Sequence, residues 1–114
     1  MTNGQITILL NTINKIKTDN RTLPVKVSYA LNRNYQKLLD AYKPYEETMK
    51  DKGYASLTSE QLNAMSEEER QGFLALYTQE VEIELYKIKL EDIENADLTI
   101  NEVEAIQTFM LEEE

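Results

Sequence analysis

The chain has 114 residues, 41% of them hydrophobic, no histidine, no cysteine and a formal net charge of −9. Its length is one domain's worth, enough to bury roughly two-thirds of the unfolded surface without disulfide staples. The missing imidazoles and thiols remove most nucleophile–base and soft-metal chemistry, and the negative charge disfavours generic nucleic-acid binding, which needs phosphates neutralised.

Charge is unevenly divided. Residues 1–57 carry nine Lys/Arg against five Asp/Glu, a balance of +4, whereas residues 58–114 carry three against sixteen, a balance of −13. An acidic surface of this kind suits a basic partner. No stretch approaches the roughly 20 apolar residues of a membrane span. The N-terminus lacks a basic region followed by an apolar run, so no secretory signal is expected. Zero cysteine fits a reducing compartment. With only three Gly and two Pro, an ordered, helix-rich chain is expected.

Thr2 and Gln5 have capping-box spacing, in which each side chain satisfies a free backbone N–H at the other. Ile6, Leu9, Leu10, Ile13 and Ile16 then recur at helical steps, which predicts a first helix over about residues 3–17. Thr22-Leu23-Pro24 opens the second, since proline is tolerated in a first turn. Leu31, Tyr35, Leu38, Tyr42, Tyr45 and Met49 follow at alternating steps of four and three, a seam of coiled-coil type. Gly53 is the natural stop. Unbroken, residues 23–52 would span roughly 45 Å, against a radius of gyration of about 13 Å for a compact chain of this size. The helix therefore protrudes or bends, and Pro44 is the expected kink. The first helix covers part of the seam, and a second subunit is a candidate to cover the rest.

Thr58 with Gln61 predicts a short helix over Leu62 and Met65. Ser66 with Glu69 predicts another over Phe73, Leu74 and Tyr77, with Glu67, Glu68 and Glu69 favourably placed in its first turn. The period then changes to two: Val81, Ile83 and Leu85 alternate with Glu82 and Glu84, and Tyr86, Ile88 and Leu90 with Lys87 and Lys89. This reads as a strand, with a bulge or bend where the phase slips between Leu85 and Tyr86. Its partner is open: residues 54–57, the segment itself folded back at the slip, or another molecule. Thr99 with Glu102 starts a last helix over about 100–111, lined by Val103, Ile106 and Met110. Glu112-Glu113-Glu114 opposes its dipole and is expected to fray.

The chemistry-bearing constellations are few. Ser28, Ser56, Ser59 and Ser66 have no histidine as base and no nucleophile elbow. Gly4, Gly53 and Gly72 are too isolated to cradle phosphate. Glu80, Glu82 and Glu84 would share one strand face, with Glu91 and Asp92 after them. Such a row could take Mg²⁺, but a solvated face opposite Val81, Ile83 and Leu85 explains it as well, and better than a Mg²⁺-dependent enzyme does. A calcium loop through Asn95, Asp97, Ile100 and Glu104 fails, because Ile93 and Leu98 stand where a carboxylate and a glycine are needed. Tyr29, Tyr35, Tyr42 and Tyr45 share a helix with Lys26, Arg33, Lys37 and Lys43, a mixture that can bind single strands. Three of these tyrosines lie on the seam, so packing or partner anchoring is preferred. The acidic half could imitate nucleic-acid phosphates, although plain solubility is the preferred explanation.

The run Leu23-Pro24, Lys26-Val27, Tyr29, Leu31, Arg33-Asn34, then Lys43 and Tyr45-Glu46-Glu47, resembles short proteins of unknown function from tailed phages and prophages of Gram-positive bacteria. Glu80-Val81-Glu82-Ile83 with Lys87-Ile88, then Leu98-Thr99 and the acidic C-terminus, is similar too. The resemblance covers most of the chain from residue 5 and rests on order and spacing. It implies a phage product made in the bacterial host cytoplasm, and transfers no catalytic or binding residue.

The expected fold is a single α+β domain over 1–114, mostly helical, with a long kinked helix as spine, a small β ribbon near 80–90 and a C-terminal helix across it. The expected role is that of a small acidic accessory protein, not an enzyme and without cofactor or bound metal. It would bind a host or phage protein, with inhibition of a defence protein as the candidate task. The alternative is a virion-assembly chaperone or minor structural protein, and a Mg²⁺-dependent enzyme ranks below both. Candidate partner-binding residues are Tyr35, Tyr42, Tyr45, Glu80, Glu82 and Glu84. A homodimer is a further expectation; direct contact with nucleic acid or membrane is not expected.

Overall fold

Helical periodicity and its caps dominate the chain. In the computed structural model, which describes residues 1–54 and 58–111, they yield α1 (Asn3–Thr18), α2 (Val25–Asp51), α3 (Ser59–Ala64), α4 (Glu67–Tyr77), α5 (Leu90–Ile93) and α6 (Ile100–Phe109). Reciprocal capping boxes form at Thr2/Gln5, Thr58/Gln61 and Thr99/Glu102. At α4 the box is only half made: Ser66 accepts from the Glu69 N–H, but the Glu69 side chain does not return. Helix α2 ends in a Schellman motif. Gly53 sits at φ 75°, its N–H donates to the Lys50 carbonyl, and the Tyr54 N–H donates to Met49. Only glycine takes that left-handed position without cost.

The core lies between α1 and the first half of α2. Ile6, Leu9, Leu10, Ile13 and Ile16 face Val27, Ala30, Leu31 and Leu38, and Leu85, Ile88, Ile93, Ile106 and Met110 close the remaining sides. The spine is one helix: Pro44 lies inside α2, which continues to Asp51. The longest dimension is 48 Å and the radius of gyration 16.2 Å, above the roughly 13 Å of a compact chain of this length. At the far end, Tyr54 meets Phe73 edge-on at 5.6 Å, and Phe73 stacks on Tyr77 at 6.3 Å. The inward stripe of α4 is Phe73, Leu76 and Tyr77 rather than Phe73, Leu74 and Tyr77, since Leu74 is 51% exposed. The i, i+3, i+4 geometry selects the first trio.

The expected β ribbon does not form. Among the described residues no sheet occurs, only two isolated bridges, Thr2 to Glu80 (antiparallel) and Ile88 to Leu111 (parallel). The burial pattern expected of a strand is nevertheless present. Val81 and Ile83 are half-buried and Leu85 buried, between exposed Glu80, Glu82 and Glu84; the phase then slips, leaving Tyr86 and Lys87 exposed before buried Ile88. Helices supply what a ladder would have supplied. Asn3 N–H donates to Gln79 O, Val81 N–H to Met1 O, and Ile88 N–H to Met110 O. Lys37 Nζ donates to Glu84 O at 2.7 Å. Asn34, with no exposed surface, donates to Tyr86 O at 3.0 Å and accepts from Tyr86 N–H at 2.7 Å. One buried amide thus reproduces both hydrogen bonds of a strand neighbour. The expectations of a strand at 54–57 and of fraying at 112–114 concern residues 55–57 and 112–114, which lie outside the described residues.

Candidate functional site

The six candidate residues fall into two separate places. Tyr35 and Tyr42, both half-buried, flank a shallow cleft of about 190 Å³ between α1 and α2, with Leu39 and Glu46 on one wall and Asn11 and Asn14 on the other. Lys17 Nζ stands 4.4 Å from the centroid of the Tyr35 ring, a cation–π contact that already occupies one tyrosine face. Tyr45 is only 7% exposed. Burial, with Tyr42 and Tyr77 beside it, holds its phenol above the ordinary value. Tyr45 is therefore a core residue under α4 and offers a partner almost no surface. The seam that invited a second subunit is largely covered within the chain, by α1 along its first half and at Tyr45 by α4.

Glu80, Glu82 and Glu84 occupy the segment between α4 and α5. They point away from the core because Val81, Ile83 and Leu85 point into it. With Met1 they border a wide-open cleft of about 560 Å³. Glu80 is already engaged, its Oε2 lying 2.9 Å from the Met1 ammonium group. No three acidic side chains among the described residues come close enough together to hold a metal ion. The row runs along the chain at the two-residue pleat, roughly 7 Å per step, instead of converging. The tyrosine cleft and the glutamate cleft share no residue.

No protein-family model, curated protein or solved structure matches the chain. No helix among the described residues is long and apolar enough to cross a membrane.

Residues outside the six candidates position this surface. Asn34 and Lys37, one turn apart on α2, fasten Tyr86 and Glu84 by their backbones. The Arg33 guanidinium lies 5.1 Å from the Tyr86 ring and 6.0 Å from Tyr29, and those rings meet edge-on at 5.5 Å. A polar residue inside the apolar seam, between Leu31 and Leu38, was the available signal for Asn34. Nothing local signals the second cluster. Arg21, in the α1–α2 loop, pairs with Glu102 in the first turn of α6 and with Asp19 Oδ2 at 2.7 Å. Glu102 is 4% exposed and also caps Thr99 N–H at 2.8 Å, while its Oε2 has no partner among the described residues. Burial pushes the Glu102 carboxyl up, but the Arg21 hydrogen bond, the Thr99 N–H and the Arg21 charge outweigh it, and the group sits below its ordinary value.

The sign of the linkage follows. A carboxyl lowered in the folded state stabilises the fold above the ordinary glutamate range, about pH 4.3, and this contribution is lost as the pH falls through the lowered value. Glu102→Gln keeps the shape and the cap acceptor but not the charge. Urea midpoints of the two proteins should differ near neutral pH and converge as the pH falls below about 4. A gap unchanged down to strong acid would show that Glu102 is not ionised in the folded protein.

Proposed function

We propose that this chain is a phage-encoded accessory protein that acts by binding another protein, of host or phage, rather than by turnover, with inhibition of a host or defence protein as the candidate task. The observation that carries the binding reading is the segment 79–87. It alternates like a strand from Glu80 to Leu85, is pinned from the core side by α1, α2 and the end of α6, and presents a carboxylate row outward with no sheet beyond it among the described residues. The phage origin rests on the sequence resemblance. The absence of histidine and cysteine leaves little catalytic chemistry to place on this surface.

The test is purification of the chain, tagged at its C-terminus, from phage-infected cells. It should recover one protein in stoichiometric amount that rebuilds the complex when both are pure. A recovered virion protein would move the role to assembly. If no captured protein re-forms a complex with the pure chain, the binding reading falls.

Dimerisation keeps one motive, the unpaired segment, because the helix seam is largely covered. Charge opposes that motive: two copies paired along residues 80–84 would set glutamate rows against each other.

A further inference from the structure

We infer that residues 82–85 form a receiving edge for an extended segment of the partner, one whose side chains alternate basic and apolar. This rests on the binding reading above and adds the chemistry of what is bound.

The main chain provides the first argument. Backbone groups of an extended chain point alternately to its two sides. Gln79 and Val81 turn theirs toward Met1–Asn3, where Asn3 N–H reaches Gln79 O at 3.1 Å and Val81 N–H reaches Met1 O at 2.7 Å. Glu84 and Tyr86 turn theirs the opposite way, to Lys37 and Asn34. Ile83 and Leu85 therefore continue the Met1 side, and among the described residues nothing pairs with their N–H or C=O groups. Pairing resumes at Ile88, whose N–H donates to Met110 O at 2.8 Å. Between these two anchors lies a cleft of about 240 Å³, bordered by Met1 and Gln5 at one end and Thr108 and Phe109 at the other, with Ile83, Leu85 and Lys87 along it, the Lys87 ammonium donating to Phe109 O at 2.8 Å. Unpaired main-chain groups along such a course are what strand addition uses.

Side chains choose the occupant. An added segment shares the two faces of residues 82–85. On the outer face its side chains lie beside Glu82 and Glu84, both exposed and without a cation within ion-pair distance among the described residues, whereas Glu80 is met by the Met1 ammonium. On the inner face they lie beside Ile83, Leu85 and Phe109. Lysine or arginine outside and an apolar residue inside satisfy both. A second copy of this chain would bring glutamates to the outer face, and like charges directly opposite are destabilising.

The probe is a synthetic peptide of about ten alternating Lys and Val residues, a length sufficient for strand addition, read by fluorescence anisotropy against the full chain. Three results are expected: measurable binding that weakens with salt, at least about tenfold weaker binding when alternate backbone nitrogens of the peptide are methylated, and a similar loss for E82K combined with E84K. The two glutamates are exposed, so the paired substitution leaves the fold intact by circular dichroism. Equal binding of the methylated peptide would reduce the effect to bare charge attraction and overturn the inference, as would no binding at all. A mass that doubles with concentration in light scattering, the doubling being abolished by Ile83→Pro, would assign the edge to a second copy and overturn it too. If the partner recovered from infected cells binds the charge-reversed chain unchanged, the inference fails while the binding reading stands.

Discussion

Asn34→Ala should cost about 3 kcal/mol of folding stability, read from the urea midpoint at constant m-value. Each of the Tyr86 groups stripped of its partner carries a desolvation penalty of about 1–3 kcal/mol. The net value of two ordinary hydrogen bonds would be smaller, so the unpaired groups and not the lost bonds set the size of the effect. Asn34 has no exposed surface and Tyr86 N–H lies 2.7 Å from its Oδ1, so truncating the amide removes both partners on the buried side of the segment. Asn34→Asp restores an acceptor for the N–H but buries a charge and offers no donor to the carbonyl; it should be no more stable than the alanine variant. A loss under about 1 kcal/mol in Asn34→Ala would mean that the segment hydrates freely and is not fastened at Tyr86.

The same residue shows why the fold was only partly legible. Capping boxes and 3.6-residue periodicity are local, so the starts of α1, α3 and α6 and the stop at Gly53 could be read from a few neighbouring residues. Alternation between Val81 and Leu85 is local too, and it correctly placed Glu80, Glu82 and Glu84 outward. It reports which face is covered and says nothing of what satisfies the backbone. The inference from alternation to a ribbon failed because the partner is a side chain, 52 residues away in sequence. Tyr45 illustrates the converse. Seam spacing gives it the same standing as Tyr35 and Tyr42, yet it is 7% exposed, with Tyr77 of α4 beside it. Arg21 and Glu102 are 81 residues apart, and no periodicity links a loop arginine to a cap glutamate.

Gly4→Ala should destabilise the protein by about 1–3 kcal/mol, the usual range for forced overpacking. In most helices the same change stabilises by about 0.5–1 kcal/mol, so the expected sign is reversed. The reason is the Tyr77 ring. A methyl on Gly4 would lie inside van der Waals contact of its Cε1 and Cζ atoms and 2.9 Å from Cδ1. That ring is half-buried and stacked on Phe73 at 6.3 Å, so it cannot swing away without losing packing. Combining Gly4→Ala with Tyr77→Ala removes the obstacle. The glycine substitution should then be neutral or mildly stabilising, giving a coupling of at least about 1 kcal/mol between the two sites. A stabilised single variant would show instead that the ring moves freely. The consequence extends to the proposed edge. Asn3 Nδ2 donates to Leu76 O at 2.8 Å and Asn3 N–H to Gln79 O, so the close approach of α1 to α4 at Gly4 is what sets Met1 against Val81. Forcing the helices apart in Gly4→Ala should weaken binding of the alternating peptide as well as folding, and the double variant, which restores only the approach, should recover part of the binding.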